Sequence, residues 1–273
     1  MRTRLLLTLL FVATTPALAQ HHRTLTDDEW CDEASEWDRD RETICEVRET
    51  VVTTARLDVN AGANGGIKVQ TWDRDDVLVR SRVMAAARTE AAARRLLQQT
   101  DVSVNGSRVR TDTPETRGED WVTIGFEIFV PRQTDLQLQT LNGGVAVEGV
   151  TGAISAKALN GGIALADVAG AVRARTTNGG VSVSLAGDAW DGEGLDVETT
   201  NGGIAVRLPE GYSARLDART EVGRISAEGI SLPRERESRG YRVGDRVETT
   251  LGRGGAPLRL MTTNGGVSIR QER

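Results

Sequence analysis

The fold is decided by residues 142–186, which read NGGVAVEGV, TGAISAKAL, NGGIALADV, AGAVRARTT and NGGVSVSLA when divided every nine residues. In each unit the second position is glycine, the fourth is valine or isoleucine, and the sixth is apolar. The fourth and sixth side chains share one face of a strand, whereas the fifth and seventh share the other. Each unit therefore predicts a short strand and a corner at which glycine supplies a positive φ.

A single nine-residue strand buries very little apolar surface, so the units must stack on one another. The tripeptide Asn-Gly-Gly recurs six times, at Asn64, Asn142, Asn160, Asn178, Asn201 and Asn264. Coils of about 18 residues place three of these asparagines at one corner, where their amides can bond to each other along the stack. The alternative is a polar stripe that binds a ligand. The repeat predicts an all-β solenoid, in which the charged residues 270–273 protect the last exposed edge.

Two helices are expected outside the regular coils. The Ala-rich segment Thr89–Gln99 predicts a helix that lies against the solenoid or covers one end of it. Thr26 and Glu29 form a capping box, which predicts a short N-terminal helix carrying Trp30 and Trp37 on one face. This helix either caps the open first coil or forms a docking surface for a basic partner.

The N-terminus is typical of an export signal. Two arginines precede a mostly apolar run from Leu5 to Ala19, which ends in Ala-Leu-Ala and is too short for an ordinary bilayer span. We therefore expect three parts: a signal peptide at 1–19, an acidic, disulfide-containing cap at 20–48, and a β-solenoid repeat domain at 49–273. The mature protein is then exported, either to the periplasm or to the medium and cell surface, with no membrane span after cleavage.

The only two cysteines, Cys31 and Cys45, are expected to form a disulfide in an oxidising compartment. A metal or redox pair is the alternative, although the spacing is not CxxC and no histidine is near. In the chain-entropy model, closing a loop of this length contributes about 3 kcal/mol.

Charge is distributed unevenly along the chain. The net charge is −5, but residues 20–50 alone carry 11 acids against 4 arginines, and residues 51–273 carry 28 of each sign. A neutral body with a short acidic head is not suited to bind nucleic acid through bulk electrostatics.

The sequence lacks the usual components of an active site. The only histidines, His21 and His22, lie at the predicted mature terminus, so the body has none for a triad or a histidine-ligated metal. With a free amine they are weak candidates for copper or nickel binding, against the alternative of a plain tail. The carboxylates around Asp76 fit a solvated turn. We therefore predict no catalytic residues, no cofactor and no enzyme activity.

The run from Phe129 to Gly170, together with WDRDDVLV at 72–79 and MTTNGGVSI at 261–269, resembles a bacterial β-strand-repeat family labelled "putative adhesin". The resemblance covers roughly residues 49–273. It implies a single-stranded, right-handed β-helix-like solenoid in an exported or envelope protein, and it brings no catalytic residues with it.

These observations favour a non-enzymatic, adhesin-like interaction or scaffold protein of the bacterial cell envelope. Its expected partner is an envelope protein or a surface glycan. The alternatives are a stress-signalling scaffold that binds another protein and a glycan-binding or carbohydrate-active β-helix. Glycan binding predicts an aromatic or acidic stripe along one outer face, but the candidate exposed aromatics, Trp121, Trp190 and Tyr212, are not in register.

Overall fold

The computed structural model describes residues 26–35, 41–232 and 244–272. Within these ranges the chain forms two helices and twenty strands: α1 (Asp27–Ser35), β1 (Glu42–Val52), β2 (Arg56–Asn60), β3 (Ile67–Thr71), β4 (Val77–Ala87), α2 (Glu90–Gln99), β5 (Asp101–Asn105), β6 (Arg108–Asp112), β7 (Trp121–Val130), β8 (Asp135–Asn142), β9 (Val145–Glu148), β10 (Thr151–Asn160), β11 (Ile163–Ala166), β12 (Ala169–Asn178), β13 (Val181–Ser184), β14 (Gly194–Asn201), β15 (Ile204–Pro209), β16 (Ala214–Val222), β17 (Ile225–Glu228), β18 (Asp245–Leu251), β19 (Pro257–Asn264) and β20 (Val267–Glu272).

The strands form two sheets that face each other. Sheet A has the order β1-β4-β7-β3-β9-β11-β13-β15-β20-β17, and sheet B has the order β5-β6-β2-β8-β10-β12-β14-β19-β16-β18. In the regular region each coil contributes one strand to each sheet, and the chain turns from sheet B to sheet A at Asn-Gly-Gly. The predicted all-β solenoid is confirmed.

The register of the coils follows the sequence repeat. Ile154 of β10 pairs with Val172 of β12, and Asn160 pairs with Asn178, both 18 residues further on. The fourth and sixth positions of each unit point between the sheets, where they form one continuous core; Val145, Ile163 and Val181 are each at most 2% exposed. Stacking thus buries a column of aliphatic side chains that no single coil could bury.

The glycines at the Asn-Gly-Gly corners act differently from the prediction. Gly143 and Gly161 do not take a positive φ, so the expectation of left-handed backbone there is wrong. A Cβ on Gly161 would instead overlap the carbonyl oxygen of Gly143 in the preceding coil. Positive φ occurs at the alternate units, as at Gly170 (φ 100°). The first glycine of the tripeptide is therefore required because neighbouring coils approach closely.

The stacking order departs from the chain order at the C-terminal end. The coil of β19 and β20 inserts between the coil of β14 and β15 and that of β16 and β17, while β18 returns antiparallel to β16. The expectation that residues 270–273 protect the last edge is therefore wrong, because β20 lies between β15 and β17.

The two helices occupy different places on the solenoid. α2 begins one residue later than predicted, with Thr89 as its N-cap. Its buried residues are Ala93 and Leu97, and the helix packs against β4 and β1 at the N-terminal end of the solenoid. α1 lies beside β1, to which the Cys31–Cys45 disulfide joins it with a Cα–Cα distance of 5.8 Å. The predicted disulfide is confirmed, and β1 runs across the expected boundary at residues 48 and 49.

Candidate functional site: a groove along sheet A

The outer faces of the two sheets differ in chemistry. Sheet B carries charged side chains that pair with each other, as Arg175 does with Glu198 at 2.9 Å and Arg219 with Asp217 at 2.8 Å. These hydrogen bonds raise the pKa of Arg175 and Arg219 above the ordinary arginine value. The face of sheet B is therefore a solvated, internally neutralised surface.

Sheet A instead carries a groove of about 1140 Å³ on its outer face. It crosses eight strands from β7 to β17, which at about 4.8 Å per strand is a length of about 34 Å. One row of its floor is formed by the second glycine of each corner: Gly66, Gly144, Gly162, Gly180, Gly203 and Gly266. The adjacent row is formed by Lys68, Ala146, Ala164, Ser182, Ala205, Ser268 and Ser226.

The fold requires the second glycines of the corners much less than the first. A Cβ on Gly144 would meet its nearest neighbour, the oxygen of Gly162, at 3.5 Å, which is an ordinary contact. A Cβ on Gly66 would meet an oxygen at 3.7 Å, and neither residue takes a positive φ. At the other four corners the nearest oxygen would lie 3.2 to 3.3 Å from the Cβ, a tight contact that needs a shift of a few tenths of an ångström. What these glycines do is keep one row of the groove free of side chains.

A cluster of charges and one indole ring closes the β7 end of the groove. Arg80, which is 3% exposed, forms ion pairs with Asp27 of α1, Glu49 of β1 and Glu127 of β7 at 2.6 to 2.8 Å. Burial opposes the charge of Arg80, but the hydrogen bonds to the three carboxylates outweigh it and raise its pKa. The side chain of Trp30 lies beside this cluster and lines the groove.

The corner beside the groove is held by side-chain hydrogen bonds. The predicted amide ladder is confirmed: each asparagine donates to the preceding one in the stack at 2.7 to 3.1 Å, from Asn64 through Asn264. Sequence reasoning missed a second series, in which an inward threonine two residues before the asparagine donates to a glycine carbonyl, as Thr176 does to Gly161 at 2.7 Å. The signal was Thr-x-Asn-Gly-Gly, present in four of the corners.

The other predicted candidates lie either outside the described residues or in the interior. His21, His22 and Trp37 lie outside the described residues. Trp190 and Tyr212 are 7% and 3% exposed, so the expectation that they are surface aromatics is wrong; burial raises the pKa of Tyr212 to about 12.

The carboxylates of the turn after β3 are held locally. Arg74 donates two hydrogen bonds to Asp76, which lower the pKa of that carboxyl, and its guanidinium lies 4.6 Å from the ring of Trp72. Within residues 26–35, 41–232 and 244–272 no cluster of three or more histidine, cysteine or acidic residues could hold a metal ion.

A family model matches residues 38–270, which is most of the chain and all of the groove floor. The chain belongs to the Toastrack DUF4097 family. The resemblance drawn from the repeat is thereby confirmed, and helix α1 precedes the segment that the Toastrack model covers. No curated protein matches the chain.

Solved structures with low identity also align with this Toastrack chain. A putative cell adhesion protein from Clostridium sporogenes ATCC 15579 has 11% identity and a TM-score of 0.45, covering 84% of this chain and 100% of its own. A putative adhesin from Bacteroides fragilis NCTC 9343 has 9% identity and a TM-score of 0.33, covering 83% and 97%. A putative lipid binding protein from Parabacteroides distasonis ATCC 8503 has 10% identity and a TM-score of 0.27, covering 84% and 97%.

Neither helix in the described part of the chain has the length and apolar character needed to cross a membrane.

Proposed function

We propose that this Toastrack protein is a non-enzymatic, exported, adhesin-like protein of the bacterial envelope that binds an extended polypeptide along the groove of sheet A. The apolar run at 5–19 supports export as a signal peptide, and the disulfide fits an oxidising compartment. The acidic segment at about 20–48 and the solenoid at about 49–273 would then be the mature parts.

The observation that carries the proposal is the row of second glycines. Packing between coils excludes a Cβ at the first glycine of each corner far more strongly than at the second, and the second glycine is present at all six corners that have Asn-Gly-Gly. Stacked sheets with ordinary side chains lie about 10 Å apart. A floor of glycine, alanine and serine lets a second backbone approach more closely than that.

A polypeptide fits the floor better than a glycan does. The residues that line the middle of the groove, from β9 to β20, include no aromatic ring on which a sugar could stack. Along the described groove the aromatic ring of Trp30 stands at the β7 end only, with Phe126 directed into the core. The charged groups also lie towards the ends, at Lys68, Arg82 and Arg224.

Site-specific photo-crosslinking in the envelope tests this function. A crosslinking residue at Ser182, in the middle of the groove, should give adducts with polypeptide, whereas the same residue at Arg173 on sheet B should not. Ser182→Trp should then abolish capture of the identified partner, and Arg173→Trp should leave it unchanged. Equal adducts from both positions would contradict the proposal. Binding to a glycan array without any polypeptide adduct would mean that the ligand is a glycan and not a polypeptide.

A further inference from the structure

Helix α1 lies over the β7 end of the groove, and its contacts there include three groups. The backbone oxygen of Trp30 accepts a hydrogen bond from Arg82 Nη1 at 2.6 Å. The Trp30 ring lies 5.2 Å from the guanidinium carbon of Arg80 and 5.1 Å from that of Arg82. Asp27 forms the third contact, an ion pair with Arg80 at 2.8 Å.

A helix as short as α1 depends on its attachment to the sheet. α1 has nine residues, and a helix of that length is marginal in water. The carboxylate of Asp27 is 61% exposed, so its ion pair with Arg80 contributes little after solvent screening. The disulfide between Cys31 and Cys45 is the covalent link between α1 and the sheet, and it limits how far α1 can move away.

We propose that α1 is a gate over one end of the groove, closed by the Cys31–Cys45 disulfide and opened when that bond is reduced. Both cysteines are partly exposed, so a thiolate can reach the bond. A dithiol reductant supplies two electrons and two protons, becomes a disulfide itself, and leaves Cys31 and Cys45 as thiols. This regulation rests on the proposed function of the groove.

Opening the gate changes the charge at this end of the groove. With α1 in place, the carboxylate of Asp27 pairs with Arg80 at the end of the groove where Lys68 and Arg82 also lie. Withdrawal of α1 removes that negative charge, so this end of the groove becomes more positive. Arg80 and the Trp30 position then become accessible. An opened groove would therefore favour a polypeptide whose terminal part is acidic, as α1 itself is.

Arginine modification tests the gate without any ligand. Phenylglyoxal labelling, read by mass spectrometry, should increase at Arg80 and Arg82 by about 10-fold when the full chain is reduced with dithiothreitol, corresponding to release of a contact of about 1.4 kcal/mol. Arg173 on sheet B is the internal control and should not change. The variant Cys31→Ser with Cys45→Ser should label like the reduced protein without reductant.

Hydrogen exchange distinguishes release of α1 alone from a general loosening of the protein on reduction. Amides of α1 should exchange faster in the reduced protein, while those of β9, β11 and β13 should keep their protection. Unchanged labelling of Arg80 and Arg82, with two free thiols per chain measured, would overturn the gate. If the gate opens but Ser182 captures no polypeptide, the proposed function fails and the gate stands.

Discussion

Replacing each of two adjacent glycines with alanine should have very different effects on stability. A Cβ on Gly143 would overlap the carbonyl oxygen of Gly65, with the Gly65 carbonyl carbon at 2.6 Å and the Gly66 nitrogen at 3.0 Å. All three are backbone atoms, so no side chain can rotate away and the two coils must separate. On Gly144 the nearest atom would be the oxygen of Gly162, at 3.5 Å, and nothing has to move.

The magnitude follows from the contacts that separation would disturb. Overpacking costs about 1–3 kcal/mol, and the hydrogen bond from the Gly65 amide to Asn142, 3.1 Å long, adds about 1 kcal/mol when it is broken. We therefore expect Gly143→Ala to cost about 3 kcal/mol, or roughly 6–12 °C in Tm for a domain of this size. Gly144→Ala should stay within about 1 kcal/mol, because it also restricts the unfolded chain.

Thermal and urea unfolding, followed by circular dichroism, measure both variants under the same conditions. The wild-type protein and the two alanine variants differ by one methyl group at neighbouring positions, so composition and charge are matched. Equal losses of Tm would refute the assignment of close packing to the first glycine and of an open floor to the second.

Three further changes test the rest of the framework by urea unfolding. Ala158 occupies the place of the ladder threonines, so Ala158→Thr should donate to the Gly143 carbonyl and stabilise by about 1 kcal/mol; unchanged stability would contradict the threonine series. Asn160→Ala removes the amide bonds to both neighbouring asparagines and should cost about 1–2 kcal/mol; no loss would mean that the amide ladder is not stabilising. Arg80→Met leaves Glu127 buried without its guanidinium partner and should cost about 3 kcal/mol, more than Glu127→Gln, and the reverse order would contradict the buried pair.

The sequence predicted the regular coils well because the same requirement, burial of an aliphatic column between stacked coils, acts on every unit. The nine-residue period fixes which side chains enter the core, and the 18-residue repeat of asparagine sets the register between coils. Both are local patterns that recur too often to be accidental, and the pairing of Ile154 with Val172 follows from them directly. The capping box of α1 was equally local, and Thr26 and Glu29 do bond to each other's backbone amides.

What the sequence could not supply was the order of the coils and the location of the groove. Insertion of β19 between β14 and β16 depends on pairing between distant segments, and each of these strands has the same inward pattern of apolar residues. The buried position of Trp190 depends on a hydrogen bond to the carbonyl of Gly170, twenty residues away. A pattern shared by every strand predicts that strands pair but does not specify the partner.

The contrast between the two sheets indicates where function lies on this rod. Both outer faces have the same strand spacing and lie outside the same core, so the core and the backbone do not explain why the face of sheet B is charged while the middle of the groove on sheet A is small and neutral. A charged face protects a long sheet from association, which makes the face of sheet B the ordinary solution. The face of sheet A lacks that protection over about 34 Å, and it does so with glycines at positions where coil packing excludes a Cβ far less strongly than at the first glycines. The outer face of sheet A lacks protective charges at each of six corners, and α1 covers it beside Arg80. A binding partner that must reach this face best explains both features.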